Sequence, residues 1–75
     1  MSAEALAQAV ERMEDMRVWG CIISLRLGPY GWSCTVSDPD VLGTNVAGHK
    51  DPAAAVEAVY MAHQAKLDKF HGVTA

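Results

Sequence analysis

Between Trp19 and Val36 the sequence alternates in a way that admits little besides a β-hairpin. Trp19, Cys21, Ile23, Leu25 and Leu27 alternate with Gly20, Ile22, Ser24, Arg26 and Gly28, and after Gly28-Pro29-Tyr30-Gly31 the pattern resumes as Trp32, Cys34 and Val36 against Ser33, Thr35 and Ser37. Side chains two apart share a face, so both arms offer one apolar side and one mostly polar side. The turn sets the register: Leu27 faces Trp32, Leu25 faces Cys34 and Ile23 faces Val36. Cys21 then lies four positions from the residue opposite Cys34, about 13 Å away at roughly 3.3 Å per residue, too far for a disulfide. Leu25 is expected in the core, and Tyr30 at an exposed tip.

The apolar side needs a cover, and the two ends of the chain supply it. Residues 3 to 16 read as a helix with Ser2 as N-cap, Glu4 in its first turn, and Leu6, Ala9, Val10, Met13 and Met16 as the buried stripe. Glu4, Gln8, Glu11, Arg12 and Asp15 form the opposite, mainly acidic face, either an ordinary solvated surface or a docking surface for a basic partner. Strand one is expected from about Val18 to Leu27 and strand two from Trp32 to about Ser37, where Asp38-Pro39-Asp40 stops the ladder. A short third strand is expected from about Gly43 to Ala47. The second helix, 52 to 70, is opened by Asp51 and Pro52 and stopped by Gly72. Its arc collects Val56, Val59, Tyr60, His63, Leu67 and Phe70, with Ala55 and Ala62 along the edge.

These elements predict one α+β domain over residues 1–75: a two-layer sandwich with a three-stranded antiparallel sheet and two helices on one face, in the order α-β-β-β-α. The other sheet face, bearing Val18, Ile22, Ser24, Arg26, Ser33, Thr35 and Ser37, is left for water or a partner. A 75-residue chain buries a modest share of its surface, so a homodimer or a larger partner suits its size.

Chemistry is sparse. His63 sits within an apolar arc and needs hydrogen-bond partners, as a structural histidine or as a ligand or catalytic group. His49 and His71 read as exposed, and no cysteine or carboxylate completes a metal set by spacing, so neither metal nor cofactor is expected. A Cys34–His63 dyad is conceivable but lacks substrate access and an oxyanion site, and no phosphate loop or hydrolase signature occurs, so the chain reads as a non-enzyme. Six Lys and Arg against nine Asp and Glu, with no basic cluster, oppose nucleic-acid binding. No apolar run suits a membrane span and no signal peptide is evident, which points to the cytoplasm.

The order of elements, and Gly48-His49-Lys50 ahead of Ala53-Ala54-Ala55 and Ala58, resembles the double-stranded RNA-binding domain. That resemblance implies RNA as a partner, although Lys50 alone stands where the family carries its phosphate-gripping cluster. The hairpin followed by Gly48 to Val56 is similar to antitoxins of the HicB type. Short length, acidic balance and the Ala-rich helix opened at Asp51 also resemble small phage accessory proteins, including anti-CRISPR inhibitors, which implies occupation of a surface on a host nucleic-acid-binding complex. The expected function is therefore protein binding, with RNA or DNA binding as the alternative. The contact residues are expected on the outer sheet face (Ile22 and Arg26, with Tyr30 at the tip) or on the acidic side of the first helix (Glu4, Glu11 and Asp15).

Overall fold

The fold was taken from a computed structural model that describes residues 2–39 and 43–72, with Phe70, His71 and Gly72 as backbone only. Helix α1 (Ala3–Val18) is followed by β1 (Ile22–Gly28), β2 (Gly31–Ser37), β3 (Thr44–His49) and helix α2 (Pro52–Gly72). The strands form one antiparallel sheet in the order β1-β2-β3. Both helices lie over one face of it, giving the expected α+β sandwich.

The helix starts follow from their caps. Ser2 Oγ accepts from the Ala5 N–H at 3.0 Å, and Asp51 Oδ1 accepts from the Ala54 N–H at 2.8 Å, satisfying donors that the first turn leaves open. The end of α1 departs from expectation. The helix continues through Val18, so Val18 and Trp19 belong to no strand; Trp19 is the C-cap and Gly20, at φ 90°, takes the left-handed position after it. The Gly20 N–H donates to the Arg17 carbonyl and the Cys21 N–H to the Met16 carbonyl, at 2.9 and 3.1 Å, the paired closure known as a Schellman motif. The alternation from Trp19 to Cys21 imitated a strand because a helix end with glycine at this position happens to continue the period.

The hairpin register is the expected one: Leu27 pairs with Trp32, Leu25 with Cys34, and Ile23 with Val36. Cys21 and Cys34 are free thiols. Gly31 is required at the tip, since its φ is 119° and a Cβ there would sit 2.6 Å from the His49 carbonyl oxygen. That close approach continues β3 to His49, two residues beyond expectation, and leaves His49 half-buried rather than exposed. Asp40 and the side chains of Phe70 and His71 fall outside the described residues.

The core is built mainly from α2 and β2. Cys34, Val36, Ala55, Val56 and Val59 are fully enclosed, joined by Met16 and Ala9 from α1. In α1 the buried stripe is narrower than its hydrophobicity implies. Ala9 and Met16 are buried and Ala5 and Met13 partly so, while Leu6 and Val10 are exposed, because the α1–α2 contact selects small side chains: Ala5 and Ala9 lie near Ala53, which lets the helices approach. Arg12 leaves the solvent face for this seam, bonding Glu57 at 3.2 Å and lying 4.6 Å over the Tyr60 ring, which Trp19 stacks against at 5.6 Å. Glu57 also raises the pKa of the Arg12 guanidinium through this hydrogen bond.

The helices do not cover the whole sheet. α2 lies across β2 and β3, whereas α1 leans on α2 and touches β1 lightly. Leu25 and Leu27 point to the helical side yet keep 37% and 67% of their surface exposed, against the expectation of a buried Leu25. The two rims also differ. β1 pairs evenly along its length, while the β2–β3 ladder slips between Trp32 and Cys34 and β3 carries Gly48 at φ 77°.

Urea denaturation distinguishes the covered from the uncovered apolar groups. Met16→Ala, which empties a fully enclosed site, is expected to cost about 2–5 kcal/mol, whereas Leu27→Ala is expected to change the stability of the monomeric chain by no more than about 0.5 kcal/mol. Comparable losses for the two would place the core under β1.

Candidate functional site

The hairpin register assembles a polar cluster beyond the last paired residues. β1 and β2 end on the pair Ile22 and Ser37, so one further step sets Cys21 across from Asp38. On the next strand Val36 pairs with Thr44, which brings the start of β3 to the same end of the sheet. His63, from the middle of α2, rises beneath all three and is fully enclosed.

The contacts are specific. Asp38 Oδ2 lies 2.9 Å from His63 Nε2 and accepts from the Cys21 thiol at 3.6 Å, while Cys21 Sγ lies 3.9 Å from the same imidazole nitrogen. Thr44 Oγ1 meets the other ring nitrogen, Nδ1, at 2.9 Å. His63 is thus satisfied on both sides, either as the Nε2–H tautomer accepting from Thr44 or as an imidazolium donating to both. Among the described residues no buried side-chain nitrogen or oxygen lacks a partner. Burial, reinforced by the Asp38 charge, pushes the Cys21 thiol up to about 11, and burial also raises Cys34. Both shifts favour the neutral thiol over the thiolate.

This arrangement is not that of a nucleophile relay. In such a relay the base takes a proton through one ring nitrogen while the carboxylate orients the other. Here Cys21 and Asp38 converge on the same Nε2, and Thr44 holds Nδ1. Cys34, considered as a partner for His63 from the sequence, is enclosed in the core and makes no side-chain hydrogen bond with it. What the cluster does present is one sulfur, one oxygen and one nitrogen, all within 4.8 Å of one another. Spacing along the chain conceals this set because its members come from a helix exit, a strand end and a helix middle. The available signal was the register itself, extended by one step.

The expected contact residues fall on separate surfaces. Ile22 and Arg26 are exposed on the outer sheet face and Tyr30 is exposed at the hairpin tip. Glu4 and Glu11 are exposed in the helical layer, and Asp15 is half-buried there. No single face unites the two groups. Between the layers, α1 and β1 leave a groove of about 510 Å³ lined by Val10, Met13, Arg17, Cys21, Ile22 and Ile23, which sequence reasoning missed because it assumed α1 would close on β1.

No protein family matches this chain, and neither a curated protein nor a solved structure matches it. No helix among the described residues is long and apolar enough to cross a membrane.

Removing the hydroxyl that holds Nδ1 is expected to be costly. Thr44→Val preserves shape but leaves a buried ring nitrogen without its partner, for a loss of about 1–3 kcal/mol, and Thr44→Ser, which retains the hydroxyl, is expected to lose less. Thermal or urea melts of the pair read this directly; equal losses would show that packing and not the hydrogen bond sets the cost.

Proposed function

We propose that this chain is a non-catalytic protein-binding module that works as a homodimer, joined through the free edge of β1. The observation that carries this reading is the apolar side of β1: Leu25 and Leu27 lie uncovered on a strand whose outer edge has no neighbouring strand among the described residues. An unpaired edge with an apolar face is a template for another strand. Natural edges are usually blunted by bulges, charges or irregular backbone, and β3 has a slipped ladder and Gly48 at positive φ. β1 has neither a slip in its ladder nor a residue at positive φ, and Arg26 is its one charge.

The strand is self-complementary. Two copies of Ile22–Gly28 set antiparallel about Leu25 place Leu25 opposite Leu25 and Ile23 opposite Leu27 on the helical side, with Ser24 opposite Arg26 on the outer side. No like charges meet. The outer face of the joined sheet then carries Ile22, Arg26 and Thr35 from each copy as a surface for a further protein. Nucleic acid is disfavoured there, since Arg26 is the one Lys or Arg that the three strands carry.

Sedimentation equilibrium tests the reading. The wild-type chain is expected to dimerise with a midpoint in the micromolar range, Leu25→Glu to remain monomeric while keeping its circular dichroism, and Thr35→Glu on the outer face to dimerise as the wild type does. A monomer at all accessible concentrations, or a dimer indifferent to Leu25→Glu, would remove β1 as the interface.

A further inference from the structure

We propose that Cys21, Asp38 and His63 form a binding site for a single divalent transition-metal ion, with zinc the best fit. The donor set is one thiol, one carboxylate and one imidazole, a mixture that suits zinc and excludes the all-oxygen preference of magnesium and calcium. The separations suit it too. Around a tetrahedral zinc, with bonds of about 2.3 Å to sulfur and 2.0–2.1 Å to nitrogen and oxygen, S–N and S–O vertices stand about 3.6 Å apart and N–O vertices about 3.4 Å. The observed distances are 3.9 Å for Cys21 Sγ to His63 Nε2, 3.6 Å for Cys21 Sγ to Asp38 Oδ2, and 2.9 Å for His63 Nε2 to Asp38 Oδ2. The last pair has to open by about 0.5 Å, and the S–N pair has to close by about 0.3 Å.

A second, independent feature is the far side of the ring. Histidines that ligate a metal through one nitrogen generally present the other N–H to an oxygen, which fixes tautomer and ring orientation. Thr44 Oγ1 stands 2.9 Å from Nδ1 and fills that role. A third feature is access. The cluster is enclosed, but Cys21 also lines the groove between α1 and β1, which offers an ion a path to the sulfur. The donors are placed by defined elements: Cys21 between the end of α1 and the start of β1, Asp38 directly after β2, and His63 in the middle of α2.

The proton balance is simple. On binding, the Cys21 sulfur gives up its proton to solvent; an imidazolium His63 also releases its Nε2 proton to solvent, whereas the neutral Nε2–H tautomer moves that proton to Nδ1 by exchange with solvent, so that in either case the imidazole ends neutral with its one proton on Nδ1, donated to Thr44. No electron moves. Three protein donors fill three vertices, and water or an added ligand takes the fourth.

Cobalt(II) is the direct probe, used on reduced protein stripped of metal with a chelator. The expected result is one equivalent bound, with the intense visible bands of a tetrahedral site and a near-ultraviolet thiolate-to-metal charge transfer, both displaced by one equivalent of zinc. Cys21→Ser is expected to abolish the charge transfer, Asp38→Asn to weaken binding by at least tenfold, and Cys34→Ser to change neither. Thr44→Val is expected to weaken zinc by about 10–100-fold without altering the spectrum. Circular dichroism on each sample establishes that it is folded. Folded wild-type protein that binds no cobalt or zinc at low micromolar concentration would overturn the site and leave the cluster as a hydrogen-bond network; a charge transfer that survives Cys21→Ser and vanishes in Cys34→Ser would overturn the assignment of its ligand.

Discussion

A buried imidazole must be satisfied on both nitrogens, and that demand organises this small protein. His63 sits in the centre of the longer helix, on the buried side that also carries Val56, Val59 and Tyr60, where a lone polar ring would be costly to enclose. Its partners come from the end of β2 and the beginning of β3, so one side chain fixes the height and rotation of α2 over two strands. A chain of 75 residues has few apolar groups with which to specify a unique arrangement, and a saturated polar network adds directional constraints that dispersion contacts lack.

Much of the architecture is legible because it is local. Ser2 and Asp51 declare helix starts by their chemistry, and the two-residue turn at Pro29 and Tyr30 fixes a register from which the pairing of Leu25 with Cys34 follows. The need of His63 for partners is likewise readable from its place among apolar neighbours. What period alone does not reveal is whether a face is covered. Leu25 obeys the alternation and still meets solvent, because coverage depends on where α1 comes to rest, and α1 is drawn to α2 through Ala9 rather than to β1 through Val10.

The candidate site was hidden for a related reason. Cys21, Asp38 and His63 are separated by 17 and 25 residues, and their proximity results from pairing and packing, which no ligand spacing along a chain expresses. Trp19 shows the opposite failure. Its alternation with Cys21 was genuine but came from a helix end, where glycine in the left-handed conformation turns the backbone and places Cys21 ahead of β1. The residue that ends the helix therefore also aims the sulfur.

The unequal rims of the sheet carry a consequence for assembly. A sheet with two open edges can recruit copies without limit and grow into a fibre, because each addition exposes a fresh edge of the same kind. Here the ladder slip and Gly48 disorganise one rim while the other remains straight. In the homodimer proposed above, association through β1 consumes that edge on both copies at once and leaves the pair with the two bulged β3 edges. On that proposal, the bulged strand limits the assembly to a pair.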